Sequence, residues 1–306
     1  MDGNIEKLLK EISENNISIL DEKSITKFEL IGKGQFMVYS GKMGDIDIAI
    51  KEIPFEKAYN DIKSLIQEVK MSLQTTHKRI PKFYGIFIIE GYVCMVFDLI
   101  KGAKTLSEKC KTADYKQQIS YLIELISIIK DLHSLKIIHR DLKPVNVMVN
   151  SEDQVLLIDF GTSKFSSGTT TNTLDPKGTT FYMAPENFDY TEDMGEENDE
   201  EQEEERVHDE KPYKISIQVD IWSLGCLISE ICSGIAPWSN VKTKKKIDHF
   251  LIMNMLNDKK DFPIPENLKD ELKEILKGCF AILPKERFTV SELLQKMIAY
   301  RETLEQ

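Results

Sequence analysis

The chain has 306 residues, of which 41% are hydrophobic and 30% charged, so it carries enough apolar side chain to bury a real core and is no disordered polymer. Its formal charge of −11 is unevenly placed: residues 189–210 hold thirteen acidic side chains against Arg206 alone, so this segment carries about −12 and everything else about +1. Spread evenly, that charge would argue against nucleic acid, and no nucleic-acid partner is expected; five scattered cysteines without a CxxC pair exclude a disulfide framework and a zinc or redox motif, reading instead as reduced thiols of a cytoplasmic protein.

Along the chain, Ile5, Leu8, Leu9 and Ile12 recur at helical spacing and predict a short helix over 4–14, ended by Asn15 and Asn16, within a helical extension over 1–24. The first residues lack an apolar h-region, and glycine is not at position 2, so neither a signal peptide nor a myristoyl anchor is expected. Between 28 and 53, short β-branched runs broken by Gly32, Gly34, Gly41 and Gly44 predict three antiparallel strands. A helix follows over 59–74, then strands over 83–89 and 92–99. After Lys101 and Gly102 the pattern is mostly helical, with apolar periodicity over 115–134, 221–232, 246–256, 268–279 and 290–301. The apolar stretch 119–132 is interrupted by Glu124, Lys130 and Asp131 and is too short to span a bilayer, so it reads as a buried helix and no membrane insertion is expected.

Chemistry concentrates in His139-Arg140-Asp141-Leu142-Lys143-Pro144-Val145-Asn146, followed thirteen residues later by Asp159-Phe160-Gly161. An aspartate able to orient a hydroxyl, a neighbouring lysine, an asparagine and a second aspartate in a later loop are the groups that magnesium-assisted phosphoryl transfer requires. Upstream, Ile31-Gly32-Lys33-Gly34-Gln35-Phe36-Met37-Val38-Tyr39 joins two predicted strands. Glycines there would let backbone N–H groups approach phosphate oxygens. Taken alone, that glycine pattern is weak, and an isolated lysine or glutamate usually sits on a solvated surface.

Together these motifs, in this order, resemble the eukaryotic protein kinase family, over about residues 25–302. The resemblance implies an α+β, two-lobed fold: a small antiparallel-sheet lobe with one helix (25–99), a larger mainly helical lobe (103–302), and an acidic insertion over 191–210. It implies ATP and Mg2+ as cofactors. Asp141 would orient and deprotonate the substrate hydroxyl, Lys143 would neutralise the transferred phosphoryl, and Asn146 and Asp159 would ligate magnesium. Ile31, Gly32, Lys33, Gly34, Gln35 and Phe36 would form the phosphate lid, and Lys51, with Glu68 seventeen residues on, would hold the α and β phosphates. Val38, Ala49 and Met148 would enclose the adenine ring, read at its edge by backbone N–H and C=O groups of the hinge Phe97-Asp98-Leu99-Ile100, Asp98 and Leu99 above all, with Phe97 closing the back of the pocket. The Leu142-Lys143-Pro144 form and Thr179 resemble the serine/threonine type, Glu186 would pair with Arg287, and Asp220-Ile221-Trp222-Ser223-Leu224-Gly225 would anchor the loops beneath the site.

Two departures bear on activity. Met37 stands where the family has a third glycine, with the valine one residue early, which implies a tighter lid. Ser72 stands where an apolar side chain usually packs on Phe160, which implies a helix prone to swing out. The hydroxyl-rich run from Ser163 to Thr173 reads as a solvated loop, or as one ordered when a phosphate on Thr169, Thr170, Thr171 or Thr173 meets Arg140. That phosphate would come from an upstream kinase or from autophosphorylation. The acidic insertion reads as a solvated, self-repelling loop, or as a device that attracts or blocks basic protein substrates. The expected function is signalling by transfer of the γ-phosphoryl of ATP to serine or threonine. The rival is a pseudokinase-type nucleotide-binding scaffold, and a kinase of small metabolites or lipids is disfavoured by Thr179 and the Ala184-Pro185-Glu186 segment.

Overall fold

In the computed structural model the described residues are 2–34, 36–75, 77–89, 91–160, 164–165, 180–187, 216–239, 262 and 264–305. The expected helix over 246–256, the serines and threonines of the hydroxyl-rich run, Gln35, Gly161, Thr179 and the acidic insertion lie outside them.

Helix α1 (Asp2–Glu14) forms where the apolar spacing places it, with Leu8 and Ile12 fully buried. Strands β1 (Ile25–Lys33), β2 (Met37–Met43), β3 (Ile46–Pro54), β4 (Phe83–Ile89) and β5 (Tyr92–Asp98) build a five-stranded antiparallel sheet in the order β1-β2-β3-β5-β4. Alternation along β3 decides which side chains reach the site. Ile48 and Ile50 enter the cluster on one face with Phe87, Cys94 and Val96, which leaves Ala49 and Lys51 for the opposite face. Lys51 is in register with Val38 on one side and Met95 on the other.

The helix expected over 59–74 is two helices, α2 (Phe55–Asn60) and α3 (Ile62–Gln74). Asp61 leaves helical backbone, with φ −123° and ψ 49°, and its carboxylate accepts the Ser64 N–H at 3.3 Å. A short polar side chain that can cap a helix start competes with the helix through it, and apolar periodicity carries no sign of such a break.

The larger lobe is built on α5 (Tyr115–Ser134), started by Asp114, whose carboxylate accepts the Gln117 N–H at 2.7 Å. Helices α6 (Gln218–Ser233), α7 (Asp270–Cys279) and α8 (Val290–Thr303) share its apolar cluster. Within that cluster the Trp222 ring meets Phe262 and Phe280 edge-on. Helix α4 (Leu106–Cys110) begins in a reciprocal cap between Thr105 and Glu108. Strands β6 (Lys104–Thr105), β8 (Val147–Val149) and β9 (Val155–Leu157) form a three-stranded sheet in the order β6-β8-β9, and β7 (Ile137–Ile138) pairs with β10 (Lys164–Phe165). Runs of two or three residues are too short for alternation to reveal them. Among the described residues, no helix is long and apolar enough to cross a membrane.

The lobes meet through α3 and the segment after it. Met71 and Ile80 are buried in the larger lobe's cluster. The Arg79 carbonyl accepts the Leu157 N–H at 2.9 Å, and His77 Nε2 lies 3.1 Å from Asp131 of α5.

Candidate active site

The site is assembled around a buried carboxylate. Asp220, in the first turn of α6, is fully buried and accepts the backbone N–H groups of His139 at 2.9 Å and Arg140 at 2.8 Å. It also lies 2.9 Å from His133 Nε2. Arg140 has φ 70° and Asp159 has φ 65°, left-handed conformations that side chains other than glycine adopt only when the surroundings hold them. For Arg140 the hold is the Asp220 carboxylate. His139, wholly buried, meets the Phe160 ring edge-on at 5.2 Å and thereby links the two loops.

This frame brings Asp141, Lys143 and Asn146 together. Lys143 Nζ lies 2.7 Å from Asp141 Oδ2, and the Asn146 amide nitrogen donates to that same oxygen at 2.9 Å and to the Asp141 carbonyl at 2.8 Å. Asp141 Oδ1 is buried without a hydrogen-bond partner among the described residues. A carboxylate with one oxygen held and one left over is poised to accept a proton from a third party. The Asn146 nitrogen is spent on Asp141, so its amide oxygen is the atom left to act as a donor to a hard cation.

Across the cleft, Lys51 Nζ lies 2.7 Å from Glu68 Oε1 on α3 and 3.2 Å from Asp159 Oδ1. Burial works against the lysine's charge, but the two carboxylates outweigh it and its pKa is raised. Burial raises that of Glu68, with the charge of Asp159 adding to the effect and Lys51 opposing it. Lys51 is therefore a permanent cation beside two acidic groups. Ser72 turns its hydroxyl onto the Glu68 carbonyl at 3.0 Å. Its neighbour Met71, which the sequence pattern did not single out, enters the same cluster as Phe160.

Above Lys51 lies the β1–β2 hairpin with the glycine-rich loop. Gly32 pairs with Val38 and Lys33 with Met37, and the Gly34 N–H donates to the Phe36 carbonyl at 3.2 Å. Phe36 is turned inward, its ring centroid 5.2 Å from Lys51 Nζ and 4.7 Å from Lys57 Nζ. Ile31 is exposed at one end of the loop, while Val38, Ala49 and Met148 are half-buried. At the hinge, the Asp98 N–H donates to the Lys82 carbonyl at 2.9 Å and the Leu99 N–H to the Asp47 carbonyl at 3.3 Å. The Asp98 carboxylate accepts from the Lys82 N–H and the Tyr84 hydroxyl. Both N–H groups of the expected pair are thus already engaged. The N–H of Ile100, in the same hinge segment, makes no such backbone hydrogen bond among the described residues.

Beneath the site, Arg287 and Glu186 form a bidentate pair. Among the described residues no group of three or more His, Cys, Asp or Glu is placed to hold a metal ion. Asn146 and Asp159 supply one amide and one carboxylate oxygen, a two-donor set of the hard kind that magnesium takes alongside phosphate oxygens.

A family model described as the protein kinase domain matches residues 25–298. The chain is 30% identical over 279 residues to mitogen-activated protein kinase kinase kinase 5 of Arabidopsis thaliana, covering 88% of this chain and 36% of that protein. To mitogen-activated protein kinase kinase kinase ANP1 of the same plant it is 29% identical, over 92% of this chain and 40% of the relative. To the human mitogen-activated protein kinase kinase kinase 5 it is 30% identical, over 87% and 18% respectively. The chain thus spans well under half the length of these relatives.

Proposed function

This chain belongs to the protein kinase domain family, and on that premise we propose that it transfers the γ-phosphoryl group of ATP to serine or threonine hydroxyls of protein substrates. The observation that carries the reading is the Asp141 cluster: one carboxylate oxygen fixed by Lys143 at 2.7 Å and Asn146 at 2.9 Å, the other buried and unpartnered among the described residues. In this reading Asp141 orients the substrate hydroxyl and accepts its proton as the oxygen bonds to the γ-phosphorus and the bond to the β-bridging oxygen breaks. Lys143 neutralises charge on the transferred group. Lys51, held by Glu68, positions the α and β phosphates, and the Gly32 to Phe36 lid, Gln35 included, covers them. Val38, Ala49 and Met148 enclose the adenine, with the carbonyls of Asp98 and Leu99 and the Ile100 N–H at its edge. Asn146 and Asp159 would hold Mg2+, which when bound neutralises the charge that develops on the phosphates.

The relatives are named as kinases that act on kinases of mitogen-activated protein kinases, so a second protein kinase is the substrate class proposed here. A scaffold reading finds no support in the site, since Lys51, Asp141, Asn146 and Asp159 are all present and the first is paired with Glu68. Arg140 is buried, its Nε without a partner among the described residues and its pKa lowered by desolvation. It suits a phosphate on the threonines of the 169–173 run, placed by an upstream kinase or by the chain itself. The test is transfer of labelled phosphate from magnesium ATP to a protein kinase and to a basic protein, beside Asp159→Asn. Label lost in the variant supports the reading, and no transfer by the parent or by forms with acidic residues at Thr169, Thr170, Thr171 and Thr173 overturns it.

A further inference from the structure

Residues 2–24 lie outside the matched domain, and none of the chemistry above uses them. They are nevertheless part of the small lobe's interior. Leu8 and Ile12 are fully buried and Ile17 nearly so, in one cluster with Leu65, Ile66 and Val69 of α3 and Ile86, Val93 and Met95 of the sheet. Whole burial of two branched side chains makes release of α1 costly. A groove of about 420 Å³ runs beside this contact, with Glu11 and Asn15 on one wall and Ile62, Ile66 and Lys70 on the other, so α1 and α3 lie side by side.

The chain then crosses the outer edge of the sheet. The Ile86 N–H donates to the Ser18 carbonyl at 2.9 Å, the Leu20 N–H donates to the Ile86 carbonyl at 2.7 Å, and Ile19 bridges Ile86 in parallel. Ile17 belongs to the cluster on one face of the sheet and Leu20 packs on the other, so the segment staples both faces across β4. Gly85 is its seat: φ is +155°, and a Cβ there would lie 2.5 Å from the Ser18 carbonyl oxygen and 3.0 Å from Leu20 Cγ.

Glu68 sits on α3 among residues of the cluster that α1 enters, with Leu65 and Ile66 before it and Val69 after, and Ile66 also lines the groove beside Glu11. The position of Glu68 opposite Lys51 therefore depends on what holds that apolar face. Ser72 offers α3 no apolar anchor toward Phe160, its hydroxyl being spent on the Glu68 carbonyl, so on that side α3 relies on Met71, which shares the cluster of Phe160. We propose that residues 2–20 are an intramolecular brace that keeps α3 where Glu68 meets Lys51, with Leu8 and Ile12 as positioning residues. Its kinetic consequence rests on the phosphoryl-transfer reading; its structural one does not.

The test compares the full chain with Ile12→Ala, Gly85→Ala and Ile12→Leu by amide hydrogen exchange, together with kcat and KM. In the first two variants, exchange over 62–74 should quicken about tenfold together with that over 2–14, while α5 stays protected. Their kcat should fall about tenfold with KM for the protein substrate unchanged, and Ile12→Leu should behave as the parent. Faster exchange in α1 with α3 unaltered overturns the brace, as does faster exchange in α3 with kcat unaltered. If Ile12→Ala loosens α5 as well, Gly85→Ala, which touches no residue of α1, decides by the same criteria. A parent without phosphoryl transfer would overturn the proposed function, and the exchange data would still decide for or against the brace.

Discussion

Glu186 and Arg287, 101 positions apart, are joined by two parallel hydrogen bonds of 2.6 and 2.8 Å, both side chains essentially sealed from solvent. Arg287 also donates to the carbonyls of Ala281, Gln218 and Ile282, and its guanidinium lies 5.1 Å from the Trp222 ring. A buried pair adds little over an apolar pair of the same shape, yet leaving one partner alone strands a charge. Arg287→Ala should therefore cost about 3–5 kcal/mol of unfolding free energy in urea, and Glu186→Leu with Arg287→Met less than the two single changes summed. Additive losses would show that the residues do not act as a pair.

Acid should act through Asp220. Burial alone would push its carboxyl up, but the hydrogen bond and charge of His133, the charge of His139 and the Arg140 N–H hold it below the ordinary 3.8. A carboxyl whose pKa is lower folded than unfolded contributes stability that is present above 3.8 and lost as pH falls through the folded value. Unfolding free energy measured at stepped pH values should fall more steeply below 3.8 in the parent than in Asp220→Asn. Parallel slopes would assign the acid sensitivity to other groups.

Removing the site charges should separate rate from stability. Asp141→Asn and Asp159→Asn keep side-chain shape and should lower kcat about a hundredfold or more. Lys51→Met should do the same and in addition cost about 1–3 kcal/mol, because the mostly buried Glu68 carboxylate, 2.7 Å from Lys51, loses its cation. Kinetics paired with calorimetry reads both, and a variant active at the parent rate would remove that residue from the chemistry.

Gly278 is a packing glycine. A Cβ there would lie 2.1 and 2.2 Å from the Phe288 ring, and the ring cannot easily withdraw because the Phe288 N–H donates to the Gly278 carbonyl at 3.0 Å. Gly278→Ala should cost about 1–3 kcal/mol, and adding Phe288→Leu should recover part of it. Thermal unfolding of the three forms decides, with no recovery pointing to backbone strain instead of overpacking.

The sequence by itself determined what is local. Asp141 and Asn146 are five residues apart and bond to each other within one loop, and Lys143 reaches the same carboxylate. The glycine-rich turn and the apolar periods of α1, α5 and α8 were legible for the same reason: side chains a few residues apart are placed by backbone geometry alone. Tertiary structure decided what those segments meet. That His139 and Arg140 are the donors Asp220 accepts from, and that Asp47 and Lys82 engage the hinge N–H groups, depend on partners distant in the chain. An apolar stripe on residues 4–14 predicts a buried face. Only packing revealed that the face is buried with α3, because burial free energy scales with area removed from water and does not name the surface that removes it.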